Sequence, residues 1–245
     1  MENKAEKIKP YDHDADKKGQ IETMFDNIAS KYDFLNHVLT LGIDKGWRKN
    51  LIKILASQKP NLVLDVATGT GDLAILAAET VPGLHVKGLD LSKGMLEVGK
   101  DKVFKKNLQD RVTMIHGDSE NLPFKDNTFD AITVAFGVRN FENLDMGLKE
   151  MNRVLKAGGN LFILEFSRPK NILFRKGFNL YFKYILPFIG KVTSKDPKAY
   201  KYLFESVQAF PAYEDFLSIL DNAGFKSNNY KIQSLGICSI YSGKK

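Results

Sequence analysis

The amino-acid sequence predicts an α/β fold: a mostly parallel sheet with helices on both faces. Three observations predict it. From residue 61 onward, short apolar runs alternate with amphipathic stripes, which is the rhythm of βαβ units. The glycine turn "ATGTGD" at Ala67–Asp72 follows the first of these runs and opens into a helix. The last two runs, "KSNNYKIQ" and "GICSIYSG", are joined by a short link and are expected to pair antiparallel.

Taken in order, residues 1–19 are polar, charged and aperiodic, and read as a mobile tail. Ile21, Met24, Phe25 and Ile28 then follow the spacing of an amphipathic helix. A linker, "YDFLNHVLTLGID", leads to a second helix with Trp47, Leu51, Ile54 and Leu55 on one face, ended by Pro60. "NLVLDV" is a strand and "GDLAILAAET" a helix. "HVKGLD" is the next strand, and "SKGMLEVGKDKVFKK" a helix capped by Ser92. The strand "RVTMIHGD", the loop "SENLPFKDNT" and the strand "FDAITVAFG" follow. Leu144, Leu148, Met151 and Leu155 stripe a helix that the glycines after Lys156 terminate, and "NLFILEFS" is a strand. After Arg168 the regularity breaks. "YEDFLSILDNAGF" restores it, with Phe216, Ile219 and Leu220 inward, before the final strand pair. The expected organisation is a tail over 1–19 and a single domain over 20–245. Within that domain, 20–60 form a helical lid, 61–168 the core, 169–212 a basic aromatic helical insert, and 213–245 a helix with the strand pair.

A chain of 245 residues that is 43% hydrophobic can bury an ample core. The first twenty residues carry no apolar h-region, and no run approaches the roughly 18 apolar residues of a membrane span, so a cytoplasmic protein is expected. One cysteine, Cys238, excludes an internal disulfide framework. The four histidines (His13, His37, His85, His116) lack ligand spacing, and no metal is expected. The net charge of +7 is local: Lys170 to Tyr202 holds eight Lys or Arg and one acid, Asp196, so the rest of the chain sums to zero.

The glycine turn can hold several ligands. A triphosphate needs a Lys-Ser/Thr pair after the glycines, and Asp72 and Leu73 stand there instead. A dinucleotide fits in part, with Ala74 at the third glycine's place and Asp90 ending the second strand. Asp65 before the turn and Asp72 after it oppose a pyrophosphate by like-charge repulsion. The same acids suit S-adenosylmethionine, which carries an ammonium and a sulfonium and no phosphate. Gly69 and Gly71 let the backbone approach its methionine portion, Asp90 takes the ribose diol, and Asp118 with the Ser119 N–H meets adenine. Turn, Asp90 and Asp118 lie in series at carboxyl strand ends, where open α/β sheets bind ligands.

The motifs "FDNIASKYDFLN", "LGIDKGWR", "LDVATGTGDLA", "GLDLSKGML", "LPFKDNTFDAITVAFGVRNF", "EMNRVLKAGGNLFILEFSRP" and "YLFESVQAFP" together resemble the C-methyltransferases of menaquinone and ubiquinone biosynthesis, over about Phe25 to Gly243. The resemblance is nearest the menaquinone branch. It implies a Rossmann-like class I S-adenosylmethionine-dependent methyltransferase fold, a seven-stranded sheet with one reversed strand at the end. By resemblance, the donor-binding positions fall on Thr70, Asp90, Asp118 and Ser119. Three positions depart from the family pattern: Ala135 stands where many members have serine, Asp44 where many have histidine, and Ala157 where proline is usual.

The implied reaction methylates a ring carbon of a polyprenyl naphthoquinol, demethylmenaquinol. A benzoquinol of the ubiquinone pathway, or another small phenolic lipid, is the alternative. No nucleic acid is expected as partner, because "AFGVRN" replaces the Asn/Asp-Pro-Pro-aromatic turn of exocyclic-amine methyltransferases. A ring carbon becomes nucleophilic when a nearby hydroxyl gives up its proton. The site therefore needs a base or a cation. Arg139, after the fourth strand, is the candidate catalytic cation. His37 is a candidate base, and Tyr32 and Asp33 are candidate lid residues. In a helix over 174–185, Phe174, Phe178, Tyr181 and Ile185 share one face and Lys176 and Lys183 the other. Three uses fit this segment: a peripheral seat on the inner face of an anionic membrane, a wall for the substrate tail, or packing against the core. The sequence leaves these open, and with them the oligomeric state, a homo-oligomer included.

Overall fold

The computed structural model describes residues 4–11, 15–180 and 197–245. Its helices are α1 (Lys17–Ile28), α2 (Tyr32–Leu39), α3 (Asp44–Ser57), α4 (Asp72–Thr80), α5 (Lys93–Lys105), α6 (Leu144–Val154), α7 (Ile172–Leu180), α8 (Pro197–Ala209) and α9 (Glu214–Asn222). Its strands are β1 (Leu62–Val66), β2 (His85–Asp90), β3 (Val112–His116), β4 (Phe129–Ala135), β5 (Leu155–Phe166), β6 (Lys226–Gln233) and β7 (Cys238–Lys244).

The strands form one seven-stranded sheet in the order β3-β2-β1-β4-β5-β7-β6. The β1–β2, β1–β4, β2–β3 and β4–β5 pairings are parallel. β7 runs antiparallel to both neighbours, from Asn160↔Lys244 to Phe166↔Cys238 on one side and along β6 on the other. The one reversed strand is thus the last in sequence, as expected, but it lies inside the sheet rather than at its edge. The strand order reverses between β1 and β4, which opens a crevice at their carboxyl ends.

Successive β1 side chains point to opposite faces. Val63 joins a core layer with Leu51, Leu55, Ala74 and Ala78 of α3 and α4. Leu64 and Val66 join a second layer with Leu148, Met151 and Phe216 of α6 and α9. Both layers exclude water almost completely, so the sheet is a rigid platform for the loops at its carboxyl edge. Side chains cap the helices where short polar residues precede them: Ser92 Oγ accepts from Met95 N at 3.1 Å, and Asn143 Oδ1 from Met146 N at 3.0 Å.

Three expectations are corrected. Residues 4–11 and 15–19 are not a loose tail. Ala5 is buried, α1 starts at Lys17, and the Lys17 ammonium donates to the carbonyls of Ala5, Arg139 and Phe141. The presumed linker after Lys31 contains α2, stopped by left-handed Leu41 and Gly42. α6 ends at Val154, because Leu155 already pairs with Phe129 of β4; the "KAGG" stretch is an irregularity within β5 rather than a helix terminator. In the basic aromatic insert, Phe178 is buried while Phe174 is half exposed. Tyr181, Lys183 and Ile185 lie outside the described residues.

Candidate active site

The turn after β1 is held from behind. Gly69 and Gly71 have φ of +56° and +79°, the left-handed region that glycine enters without a Cβ penalty. Asp65 is 1% exposed, and its two oxygens accept from Thr68 Oγ1 and Thr133 Oγ1, each at 2.6 Å. Burial pushes this carboxyl up to about 6 against the pull of both hydroxyls. Asp90, at the end of β2, accepts from Gly69 N at 2.7 Å and from Ser92 N at 2.9 Å. Its burial raises the carboxyl above the usual range, and these two N–H groups oppose the rise. Asp118 follows β3. One of its oxygens accepts from Glu120 N at 2.9 Å, the other from Lys18 Nζ at 2.7 Å.

Gly69, Asp90, Asp118 and Ser119 line one pocket of about 70 Å³. Thr70, Asp65 and Gly71 do not line it. Thr70 Oγ1 donates to Asp33 Oδ1 at 2.6 Å and so ties the turn to α2. Asp65 is committed to the two threonines, and Gly71 caps α4. Asp72 also differs from expectation: its charge is answered by Lys102, which bonds Asp33 at 2.8 Å as well. The acids that face the pocket are instead Glu22, Asp90, Asp118, Glu120 and Glu142, against the single cation Lys18. The preference for a cationic ligand over a phosphate therefore stands, but on a different set of carboxylates.

The lining fits S-adenosylmethionine in kind. Carboxylates at the ends of β2 and β3 can accept from ribose hydroxyls and an adenine amine, and the excess of acid suits the ammonium and sulfonium. The pocket is far smaller than the roughly 300–1,000 Å³ of ligand sites, because α1 covers it with Lys18, Ile21, Glu22 and Phe25. Three latches hold α1 down. Lys17 reaches its three carbonyls, Lys18 pairs with Asp118 and Glu120, and Asp26 accepts from Ser92 Oγ and Gly94 N.

A second cavity, of about 420 Å³, adjoins the first. Phe25, Tyr32 and Phe136 line both and form the wall between them. The second cavity is largely aromatic and aliphatic, with Trp47, Phe136, Phe166, Phe174 and Phe178 in its walls. Phe136 and Phe166 stack with ring centroids 4.7 Å apart, and Trp47 meets each at 6.2 Å. Two ion pairs interrupt this lining. Arg139 Nη1 bonds Glu165 Oε1 at 2.9 Å and the Phe136 carbonyl, while its Nε–H is buried with no hydrogen-bond partner among the described residues. Glu165 is 0% exposed, and burial raises its carboxyl despite Arg139. Asp44 and Arg48 form the second pair. Arg139 is thus both a cavity residue and half of a buried pair. The side chain of His37 lies outside the described residues. Asp33 lines neither pocket, but holds Thr70 and Lys102.

Sequence reasoning missed Glu165, Arg48 and the α1 latches. Glu165 had a signal, a lone carboxylate inside the apolar run "FILEF". Lys17 and Lys18 had none, since a charged stretch before a helix reads the same whether buried or solvated.

A switch-point turn with carboxylates at successive strand ends, on a seven-stranded sheet with one reversed strand, defines an S-adenosylmethionine-dependent methyltransferase. Solved structures share this fold. A methyltransferase of that kind from Aquifex aeolicus matches with a TM-score of 0.55 at 20% identity, covering 75% of this chain and 81% of its own. The [4+2]-cyclase SpnF matches at 0.67 and 17% identity, over 93% and 96%. The chain belongs to the ubiE/COQ5 methyltransferase family, whose model matches residues 13–245. A demethylmenaquinone methyltransferase of Bacteroides fragilis is 47% identical over 240 residues, 98% of each chain. One from Porphyromonas gingivalis is 44% identical over 241 residues, again 98% of each. The ubiquinone/menaquinone biosynthesis C-methyltransferase UbiE of Geobacter sulfurreducens is 44% identical over 227 residues, 92% of this chain and 88% of its own.

Proposed function

We propose that this enzyme methylates a ring carbon of demethylmenaquinol to give menaquinol. The observation that carries the reading is the pair of adjoining cavities, one acidic and one apolar, which meet at Phe25, Tyr32 and Phe136. In this reading Asp90 takes the ribose diol, Asp118 and Ser119 take adenine, and Gly69 admits the methionine portion. Asp65, Thr70 and Gly71 shape the turn from outside the pocket. The bound donor supplies a methyl already activated on sulfur. The residues of the chain then have three tasks: to stack the acceptor ring against Phe136 and Phe166, to exclude water under α1–α3, and to favour the phenolate. Arg139 does the last. Its guanidinium is permanently charged, and the buried Nε–H is a donor waiting for an oxygen. Its charge is shared with Glu165, so Arg139 favours the phenolate by hydrogen bond and local field and does not itself accept the proton.

The apolar cavity suits a prenylated ring better than a nucleotide base, and its rim extends the same logic. Leu41, Ile43, Leu173, Phe174 and Leu235 line the cavity and are also exposed at the surface. No helix among the described residues is long and apolar enough to cross a membrane. We therefore place this rim against the bilayer that holds the quinol. The dual name of the Geobacter sulfurreducens relative keeps a benzoquinol of the ubiquinone pathway as the second reading. Transfer of tritium from labelled S-adenosylmethionine distinguishes these acceptors. Label is expected in demethylmenaquinol above the methoxybenzoquinol precursor, and label in tRNA but in neither quinol overturns the reading.

A further inference from the structure

The start of α1 meets the turn that carries Arg139. Lys17 is 1% exposed, and its ammonium donates to the carbonyls of Ala5 at 2.8 Å, Arg139 at 3.2 Å and Phe141 at 3.0 Å. The Lys17 backbone N–H donates to Glu142 Oε1 at 2.9 Å. Glu120 closes the junction: one oxygen accepts from Glu142 N and Asn143 N, and the other pairs with Lys18 at 3.0 Å. The 3-10 turn Val138–Asn140 serves both cavities, since Arg139 lines the apolar one while Asn140 and the following Phe141 line the acidic pocket. The next residues of α1, Lys18, Ile21 and Glu22, cover that pocket. Burial lowers the Lys17 ammonium to about 8; Glu6, Glu120 and Glu142 work against burial, and Arg139 works with it. A buried ammonium is costly, and an apolar side chain of similar length would hold α1 by packing alone. What the ammonium adds is a set of donors that ties the Arg139 carbonyl to the lid.

We propose that Lys17 is a positioning residue for methyl transfer: through the carbonyls of Arg139 and Phe141 it makes the seating of α1 over the acidic pocket a condition for the Arg139 guanidinium to be fixed against the acceptor. This rests on the reading of Arg139 above. With α1 seated, Arg139 is held at its carbonyl by Lys17 and at its side chain by Glu165 and the Phe136 carbonyl. With α1 lifted, the turn loses Lys17, and both carbonyls exchange a fixed donor for water. The guanidinium then keeps only its side-chain anchors, and a misplacement of about 1 Å costs on the order of a hundredfold in rate. The phenolate is therefore favoured only while α1 encloses the acidic pocket.

The test uses the full-length protein saturated with S-adenosylhomocysteine, and 1-naphthol as the probe, whose ionised form absorbs at longer wavelength. The apparent pKa of the bound probe reports, without turnover, how strongly the site favours a ring-oxygen anion. Wild-type protein is expected to lower it by at least about one unit, and Arg139→Gln combined with Glu165→Gln to abolish the lowering. Lys17→Met is expected to raise it by about one unit, and to lower kcat about tenfold with KM for the quinol within about threefold of wild type. Added to the Arg139→Gln, Glu165→Gln background, Lys17→Met is expected to bring no further rise, because its effect passes through Arg139. Asp26→Ala loosens α1 but leaves Lys17 in place and α1 mostly seated, so it is expected to leave the bound pKa unchanged. A bound pKa in Lys17→Met equal to that of wild type, a further rise in the triple variant, or an equal rise in Asp26→Ala overturns the inference. Where Lys17→Met fails to fold, hydrogen exchange in Asp26→Ala decides: amides of residues 138–142 are expected to speed up together with those of α1, and an unchanged rate there overturns it. Equal bound pKa values in wild type and the Arg139→Gln, Glu165→Gln variant reject the reading of Arg139 itself.

Discussion

Asp65 shows how a residue beside a candidate site can be misread as a ligand contact. Its sequence position, just before the glycine turn, suggests a ligand contact. Its geometry makes it a strut between Thr68 and Thr133. The folded carboxyl titrates at about 6 rather than near its ordinary 3.8, so the folded state holds the proton more tightly than the unfolded chain. Stability from this group is complete below about pH 4 and is lost as pH rises to 6 and beyond. The loss is worth up to about 3 kcal/mol at roughly 1.4 kcal/mol per pH unit. Asp65→Asn cannot ionise. Its stability relative to wild type is therefore expected to improve between pH 4 and pH 6.5, as read by urea denaturation at each pH. Arg139 calls for a different experiment, because a buried partner depends on it. Arg139→Gln leaves Glu165 buried and uncompensated, and is expected to cost about 3–5 kcal/mol of stability as well as activity. Arg139→Gln combined with Glu165→Gln is expected to recover most of the stability and none of the methyl transfer. Full activity in the double variant would make the pair purely structural.

At the scale of elements, α1 controls access to the acidic pocket. Ligand entry requires its latches to open, so α1 should exchange its amide hydrogens faster than the sheet and slow down when S-adenosylhomocysteine is added. Asp26→Ala removes the acceptor for Ser92 Oγ and Gly94 N, and is expected to speed exchange in α1 about tenfold, with faster release of the donor product. Hydrogen exchange read by mass spectrometry checks both. Elements also divide by how well the sequence displays them. All seven strands were legible, most of them because a sheet covered on both faces needs short apolar runs; β6, KSNNYKIQ, is polar and largely exposed and was read from its short link to the last run. α2 was not. Tyr32 and Asn36 lie one turn apart on it and face the acceptor cavity rather than the core, so its inward side is partly polar. Helical periodicity is recognised by its oil, and this helix turns a wetter side inward. The start of α1 was missed for a related reason. Lys17 is buried against carbonyls that lie more than a hundred residues away, and no local pattern encodes such a partner.

Over the whole molecule, the sheet places the acidic pocket and the apolar cavity side by side at its carboxyl edge, while the exposed apolar rim surrounds the cavity's mouth. Each apolar side chain removed from water at a bilayer contributes on the order of 1.5–3 kcal/mol. Leu173→Ser with Phe174→Ser is expected to lower co-sedimentation with anionic vesicles at least tenfold while leaving S-adenosylhomocysteine binding unchanged. Undiminished sedimentation would remove the rim from the membrane reading. At this scale the sequence displayed the part of the candidate donor pocket that lies at strand ends, Asp90 and Asp118, but not Glu22 on α1 or the loop residues Glu120 and Glu142. The acceptor half was legible only in fragments, at Arg139, Tyr32, Phe174 and Phe178. Its walls come from α1, α2, α3, α7 and α8, together with loops after β4, β5 and β6, and a surface assembled from so many distant segments has no signature in any one of them.

The position of β7 has a further consequence for how the sheet closes. Its residues follow β6 in sequence, yet they lie between β5 and β6 and complete the backbone pairing of both. Before β7 inserts, β5 has an unpaired edge and β6 has no neighbour in the sheet, so the five parallel strands can form first and wait. A variant in which β7 cannot insert would leave that edge open and adhesive. Cys238–Lys244 therefore act as the closing stitch of the sheet.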